Sequence, residues 1–259
     1  AEIEKLIDKN TKMIFTETIA NPAIVVLDFD KIADIAKKYG VLFAVDNTLA
    51  TPVLCRPKDF GAHIIIHSSS KYLDGHAAAL GGVIVDLGNF NYKGNPRYSS
   101  FNVPDESYHG LVYADLPVAF GTKCRAQMMR DFGAIMSPQN GFISYIGSDT
   151  LALRMERHSE NAKKVAAYLK KHPKIEWINH PSLPDNKYHK LAAKYMPNGQ
   201  GGMMSFGIKG SVEKCSQFLE ALQLITQETH VADVRSCVLH PASTTHRQLS
   251  EEDLKAAGV

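Results

Sequence analysis

The sequence predicts an α/β fold, a mostly parallel sheet with helices on both faces plus a smaller C-terminal α/β unit, on three observations. The apolar runs at 42–45, 64–66 and 83–85 are short and lack polar alternation, the pattern of strands buried on both faces of a parallel sheet. A helical stripe of Ile32, Ile35, Ala36 and Tyr39 lies between the first of these runs and an earlier strand-like run, which makes a strand–helix–strand unit. After His172 the same alternation of strand and helix returns on a smaller scale. The first run ends on Asp46, and the second on His67, Ser68, Ser69, Ser70 and Lys71. Ligands of such sheets bind just beyond the carboxyl ends of the strands, so an acid, a hydroxyl cluster and a lysine are set to share one crevice.

Taken in order, residues 12–16 (KMIFT) read as a strand that closes on Glu17, with Asn21-Pro22 turning the chain away. Asp28 suits a helix N-cap and Gly40 a stop. The link 51–62 contains Pro52 and Pro57 and has room for a brief helix before a strand at 63–66. Residues 87–125 are aromatic, Gly- and Pro-rich and aperiodic, which predicts an ordered arm near the site or a subunit contact. A long helix is expected at 150–172, with Leu151, Met155, His158, Ala162, Val165, Ala166 and Leu169 on its apolar stripe and Pro173 ending it. Beyond it we expect a strand at 175–178, a helix at 188–195, a strand at 203–208, a helix at 212–222 and a strand near Leu224. Residues 1–145 are assigned to a large domain and 146–259 to a small one.

A chain of 259 residues with 44% hydrophobic residues has material for a sizeable core. A formal charge of +2 and the lack of a basic block argue against nucleic acid or membrane as partners and favour small molecules. Cys55, Cys124, Cys215 and Cys237 are far apart with no CxxC, which suits a reducing, cytoplasmic setting. Ala1 falls inside helix-like sequence and Val259 directly follows it, so we expect a piece of a longer protein.

Lys71 can form a Schiff base with an aldehyde, although most lysines are simply solvated. Asp46 can keep a pyridine nitrogen protonated, as a pyridoxal ring requires, or serve as a cap before Thr48. Ser68 and Ser70 offer short donors to a phosphate, yet serine-rich turns end many strands. Asn21 can reach a phenolic oxygen or only mark an Asn-Pro turn. His63, His67 and His76 lack an acidic or thiol co-ligand, so no metal site is expected. Residues 239–249 (LHPASTTHRQL) are polar and unlike a helix, which suits a substrate loop or an ordinary turn.

ETIANP (17–22), VDNT (45–48), HSSSKYLDGH (67–76), LALRMERHSENA (151–162) and HPASTTH (240–246) stand in the order and spacing of a known family. From Lys12 to Val259 the chain resembles the pyridoxal-phosphate enzymes of cysteine and methionine metabolism. PDESYHGLVY, RDFGAIMSP and VADVRSCVLHPASTTHRQL resemble the branch that acts on O-acetylhomoserine with sulfide or a thiol. The resemblance implies an aspartate-aminotransferase-like fold (type I of these enzymes) and pyridoxal 5'-phosphate as cofactor. It implies Lys71 as Schiff-base lysine and proton shuttle, Asp46 on the ring nitrogen, Asn21 on the phenolic oxygen, and Ser68 and Ser70 on the phosphate. Ser70 stands where the family more often has Thr. Thr245 would lie near the substrate carboxylate and His230 would line that pocket. A homotetramer of dimers, with sites at the subunit boundary, is also implied. The family's N-terminal glycine-rich phosphate contact, its stacking aromatic and its substrate-clamping arginine have no counterpart in this sequence. A γ-lyase on the same scaffold, or a non-catalytic fragment, remains compatible with these residues.

Overall fold

The computed structural model describes residues 2–257. Ala1 and Val259, the expected cut ends, lie outside the described residues, as does Gly258. Helix α1 (Glu2–Leu6) buries none of its side chains. Strand β1 (Met13–Glu17) follows, and the antiparallel pair β2 (Ile19–Ala20) and β3 (Val25–Val26) brackets the loop that carries Asn21. Helix α2 (Phe29–Tyr39) begins at Asp28, whose side chain accepts from the Lys31 N–H, and ends at Gly40, left-handed at φ 62°. Both are the boundary residues expected from their chemistry. Strand β4 (Leu42–Asp46), helix α3 (Thr51–Leu54), the 3-10 turn Pro57–Phe60, strand β5 (Ile64–Ser68) and strand β6 (Gly82–Asp86) complete a sheet of order β1-β4-β5-β6.

β1, β4 and β5 run parallel, with Glu17 opposite Asp46 and Asp46 opposite Ile66, so their carboxyl ends line up. β6 departs from expectation twice. It pairs antiparallel with β5, because the chain spends residues 69–81 on a turn and comes straight back, with no crossover helix to return it to the other end. Nor is it buried on both faces: Val83, Ile84 and Val85 are 39%, 55% and 37% exposed. It is the outer strand, with β5 alone beside it among the described residues.

Period-two alternation sends Phe43 and Val45 to one face of β4 and Leu42 and Ala44 to the other. Phe29, Ile32 and Ala36 of α2 pack in the core of the first face. Tyr92, Tyr98, Phe101 and Tyr113 from the aperiodic arm cover the second, with Ala119 of helix α4 (Ala119–Lys123). The arm is therefore a wall of the core, ordered by 3-10 turns at Pro96–Phe101, Glu106–Tyr108 and Tyr113–Asp115. The Tyr98 hydroxyl accepts from the Leu42 N–H at 2.8 Å, and Tyr92 stacks on Phe101 at 4.4 Å.

Asp105 organises the arm. Its carboxylate accepts from the Tyr113 hydroxyl at 2.6 Å, the Gln127 amide at 2.6 Å, and the Ser107 N–H and hydroxyl at 3.0 and 2.7 Å. These bonds, that from Tyr113 first, lower its pKa to about 2. Burial, then the bond to Asp105, pushes the Tyr113 hydroxyl up to about 12. A carboxyl with a depressed folded-state pKa stabilises the fold above the ordinary carboxylate range, and that stability is lost as pH falls through the folded value. We therefore predict that Asp105→Asn lowers the melting temperature at neutral pH and flattens the loss of stability on acidification down to about pH 2, as read by thermal melts across pH.

Helices α5 (Arg130–Phe132), α6 (Pro138–Asp149) and α7 (Leu151–Lys171) follow. α6 is unexpected from the sequence. Ser137 caps it and Pro138 opens it, but Phe142, Tyr145 and Ile146 are exposed, so it shows no buried stripe. The expected division after residue 145 falls inside it. α7 buries Leu151, Met155, Ser159, Ala162 and Ala166, spaced by three and four. Val165 is one step off that line and is exposed, which corrects the predicted stripe. Strand β7 (Ile175–Asn179), helix α8 (His189–Tyr195), strand β8 (Ser205–Ile208), helix α9 (Val212–Glu220), strands β9 (Thr226–Gln227) and β10 (Cys237–Val238), and helix α10 (Glu251–Ala257) complete the order. Among the described residues no helix is long and apolar enough to cross a membrane.

Candidate active site

Parallel register sets Glu17, Asp46 and the end of β5 side by side at one edge of the sheet. Asp46 Oδ1 accepts from the Thr48 N–H at 2.9 Å, and the Thr48 hydroxyl accepts from the Ser68 N–H at 2.8 Å. Thr48 thus ties the acid to the serine cluster, a link that residue type alone does not reveal. Beneath it the Thr18 hydroxyl donates to Asn47 Oδ1 at 2.7 Å, and Asn47 Nδ2 donates to the Cys55 carbonyl at 2.9 Å. This buried network fixes the backbone on both sides of Asp46. We predict that Thr48→Val, which leaves the Ser68 N–H without its acceptor, costs about 1 kcal/mol in denaturant unfolding. Glu17 is exposed by surface area, yet loss of hydration against the strand ends, and then the Asp46 charge, raises its carboxyl above the ordinary range.

β5 runs directly into the turn Ser69–Leu73, wound as a π-helix and interrupted at Lys71, whose backbone leaves the helical region at φ −98° and ψ −132°. The Ser68 and Ser70 hydroxyls lie 2.8 Å apart. Lys71 is half-buried, with Nζ 3.4 Å from Nδ1 of His230. Burial, then the Lys71 charge, holds His230 below the ordinary imidazole value. A neutral ring with its Nδ1 lone pair toward Lys71 can accept a hydrogen bond from the amine beside it.

His230 arrives on a segment clasped to the same turn. The Val234 N–H donates to the Gly75 carbonyl at 2.8 Å. The Arg235 guanidinium grips the buried Asp233 carboxylate at 2.7 and 3.0 Å. That grip lowers the Asp233 carboxyl and raises the Arg235 guanidinium. Four buried polar atoms on these segments have no hydrogen-bond partner among the described residues: His67 Nδ1, Ser69 Oγ, Asp74 Oδ1 and His230 Nε2.

The structure therefore joins Lys71 to His230, Ser68 to Ser70, and Asp46 to Ser68 through Thr48. Asn21 is exposed in its loop, and its backbone N–H favours the ionised Glu17 carboxylate, the smallest of the influences on that group. Thr245 is exposed after the 3-10 turn Pro241–Ser243, with its hydroxyl 2.9 Å from the His246 ring, and no hydrogen bond ties it to Lys71. Of the three histidines considered for a metal, His63 and His76 are engaged separately, while His67 Nδ1 is buried without a hydrogen-bond partner among the described residues. His63 accepts from the Phe43 N–H at 2.9 Å, His76 turns to the Asp74 carbonyl at 2.8 Å, and burial lowers His67 against the opposing Asp46 charge.

Chemically, the amine can condense with an aldehyde and the hydroxyl pair can donate to a phosphate. The carboxylate can hold a protonated ring nitrogen. Together with the partnerless buried Ser69 hydroxyl and His230 Nε2, this donor set fits a flat heterocycle bearing an aldehyde and a phosphate.

Residues 1–259 match the model of the Cys/Met metabolism PLP-dependent enzyme family. Homocysteine synthase of Schizosaccharomyces pombe is 44% identical over 257 residues, which cover 98% of this chain and 60% of that protein. O-acetyl-L-homoserine sulfhydrylase of Leptospira meyeri is 42% identical over 266 residues, again 98% of this chain and 60% of the other. A Campylobacter jejuni protein described as an O-acetylhomoserine (thiol)-lyase, crystallised with N'-pyridoxyl-lysine-5'-monophosphate, superposes with a TM-score of 0.95 at 44% identity over 99% of this chain and 62% of that one. The chain thus spans about 60% of the length of the curated relatives it matches. Its architecture is that of fold type I among pyridoxal-phosphate enzymes. By sequence over its whole length and by fold, the chain belongs to the Cys/Met metabolism PLP-dependent enzyme family.

Proposed function

We propose that this chain carries the lysine-bearing part of an enzyme that replaces the acetoxy group of O-acetylhomoserine with sulfide, giving homocysteine and acetate, or with methanethiol, giving methionine. The observation that carries this reading is the Lys71–His230 pair, 3.4 Å apart beside the Ser68–Ser70 hydroxyls and one strand from Asp46. The activities for which its relatives are named support it.

Bound pyridoxal 5'-phosphate supplies the electron sink for carbanion chemistry. Lys71 would hold the cofactor's aldehyde, and its amine would carry the α-proton of the substrate away and back. Neutral His230, 3.4 Å from Nζ, would accept a hydrogen bond from the Lys71 amine and orient it. Asp46 would pair with the ring nitrogen, Asn21 with the phenolic oxygen, and Ser68 and Ser70 with the phosphate. His230 and Thr245 would line the substrate side. Thr245 reaches this position only if its loop turns inward, since its present partner is His246.

Residues 1–145 are then part of the cofactor domain and 146–259 belong to the small domain, a division that falls within α6. Four free thiols suit a reducing cytoplasm, and a homotetramer is the assembly we propose. The test is a product assay with O-acetylhomoserine on the longest natural polypeptide that contains this segment. Homocysteine that depends on added sulfide is the expected result. Release of 2-oxobutyrate without sulfide would assign a γ-lyase instead.

A further inference from the structure

We propose that Arg154 of α7 is a positioning residue for Lys71, fixing the backbone that carries the reactive amine. The proposal rests on the reading of Lys71 given above. The Ser69–Leu73 turn is five residues long, and the carbonyls at its end have no following helical turn to satisfy them. Arg154 takes that place. Nη1 donates to the Tyr72 carbonyl at 2.6 Å, and Nη2 donates to the Leu73 carbonyl at 3.3 Å and the Gly147 carbonyl at 2.6 Å. Nε donates to the Thr150 hydroxyl at 3.0 Å, which fixes the plane of the guanidinium. One planar group thus bridges the two residues after Lys71 to the end of α6, a geometry that a lysine ammonium cannot reproduce.

The surroundings are shaped for it. Gly75 is left-handed at φ 79°, and a Cβ there would lie 2.5 Å from Arg154 Nη1. A Cβ at Gly147 would collide with the Asp74 carbonyl and lie 2.7 Å from that of Leu73. The buried Asp74 carboxylate supplies the opposing charge and accepts from the Ala78 N–H at 2.8 Å. One helical turn on, His158 tilts its ring against Tyr72 at 5.1 Å, so the same face of α7 holds the turn twice. Rotating Lys71 by even a small angle about this support moves the end of its long side chain by a large fraction of an ångström. Misplacement on that scale slows a reaction that depends on near-attack geometry by about 10- to 100-fold.

The test uses the longest natural polypeptide that carries the segment, stripped of cofactor, as wild type, Arg154→Met and Arg154→Lys. Two quantities are measured: the rate at which Lys71 takes up pyridoxal phosphate, trapped by borohydride and located by peptide mass, and amide hydrogen exchange along the chain. We expect labelling of Lys71 to slow by about 10-fold or more in Arg154→Met. Exchange should rise at residues 72–75 but not in β4, with partial recovery of both in Arg154→Lys. Labelling as fast as wild type would overturn the proposal, as would exchange that rises equally in α7 and the sheet, since that is the mark of a scaffold residue. Absence of label on Lys71 in the wild type would instead remove the underlying reading, and the proposal with it. Should Arg154→Met not fold, Arg154→Lys decides alone: slowed labelling with β4 still protected supports positioning, and unchanged labelling refutes it.

Discussion

Replacing Lys71 with alanine is expected to abolish the near-visible absorbance of the cofactor-loaded protein and to lower turnover by about 10²–10⁴-fold from lost proton transfer alone. The substitution removes the half-buried amine that lies 3.4 Å from His230, while the turn around it keeps its supports. Those supports are backbone groups: the Gly75 N–H on the Lys71 carbonyl at 2.7 Å, and Arg154 on the carbonyls of Tyr72 and Leu73. The fold should therefore survive, and circular dichroism alongside an absorbance titration with pyridoxal phosphate separates lost chemistry from lost structure. Lys71→Arg is a stringent companion. It keeps a cation beside His230 but has no amine able to condense, so it should be as inactive as the alanine variant. Turnover near wild type in either variant would be incompatible with the proposed role.

Asp46→Asn should weaken cofactor holding by about 10- to 100-fold, the equivalent of one hydrogen bond to a charged group of about 1.5–3 kcal/mol. Asparagine keeps an oxygen where Oδ1 accepts from the Thr48 N–H at 2.9 Å, so the link onward to Ser68 is preserved and only the charge is lost. A protonated ring nitrogen then has no anion to hold it, and turnover should fall along with affinity. The cofactor-free protein should respond differently. Glu17 is raised by burial first and by the Asp46 charge second, so its ionisation costs stability as pH rises from the ordinary carboxylate value to the raised one. Removing the Asp46 charge eases part of that cost, and the apo variant should melt no lower than wild type near neutral pH. Equilibrium dialysis of pyridoxal phosphate and thermal melts of the apo protein give the two readings. A destabilised apo protein with unchanged cofactor affinity would make Asp46 structural.

What could be read from the sequence was mostly local. Asp28 and Gly40 mark the ends of α2 because capping and left-handed geometry depend on the single residue present. The polar residues after the runs at 42–45 and 64–66 fall at the aligned ends of parallel strands, since the run itself sets the strand's length. What the sequence concealed depends on partners distant along the chain. An apolar run such as 83–85 reads the same whether its strand is central or at the edge, and parallel or antiparallel; only the return from the lysine turn decides. α6 leaves its apolar side chains exposed, so periodicity had no buried face to report. The aromatic arm has no period because short 3-10 turns, stacked rings and the Asp105 hub hold it instead of one long element. Within the site, Lys71, Asp46 and the serines could be picked out by residue type and position. Thr48 and Arg154 could not, because their roles lie in bonds to the backbone of other elements.

The most direct measurement is borohydride reduction of the pyridoxal-phosphate-loaded protein followed by peptide mass mapping. A single pyridoxyl group on the peptide that contains Lys71 is the expected result, lost when Lys71 is replaced and much reduced in yield when Asp46 is neutralised. A pyridoxyl group carried by any other lysine, or equal labelling of many surface lysines, would contradict the account.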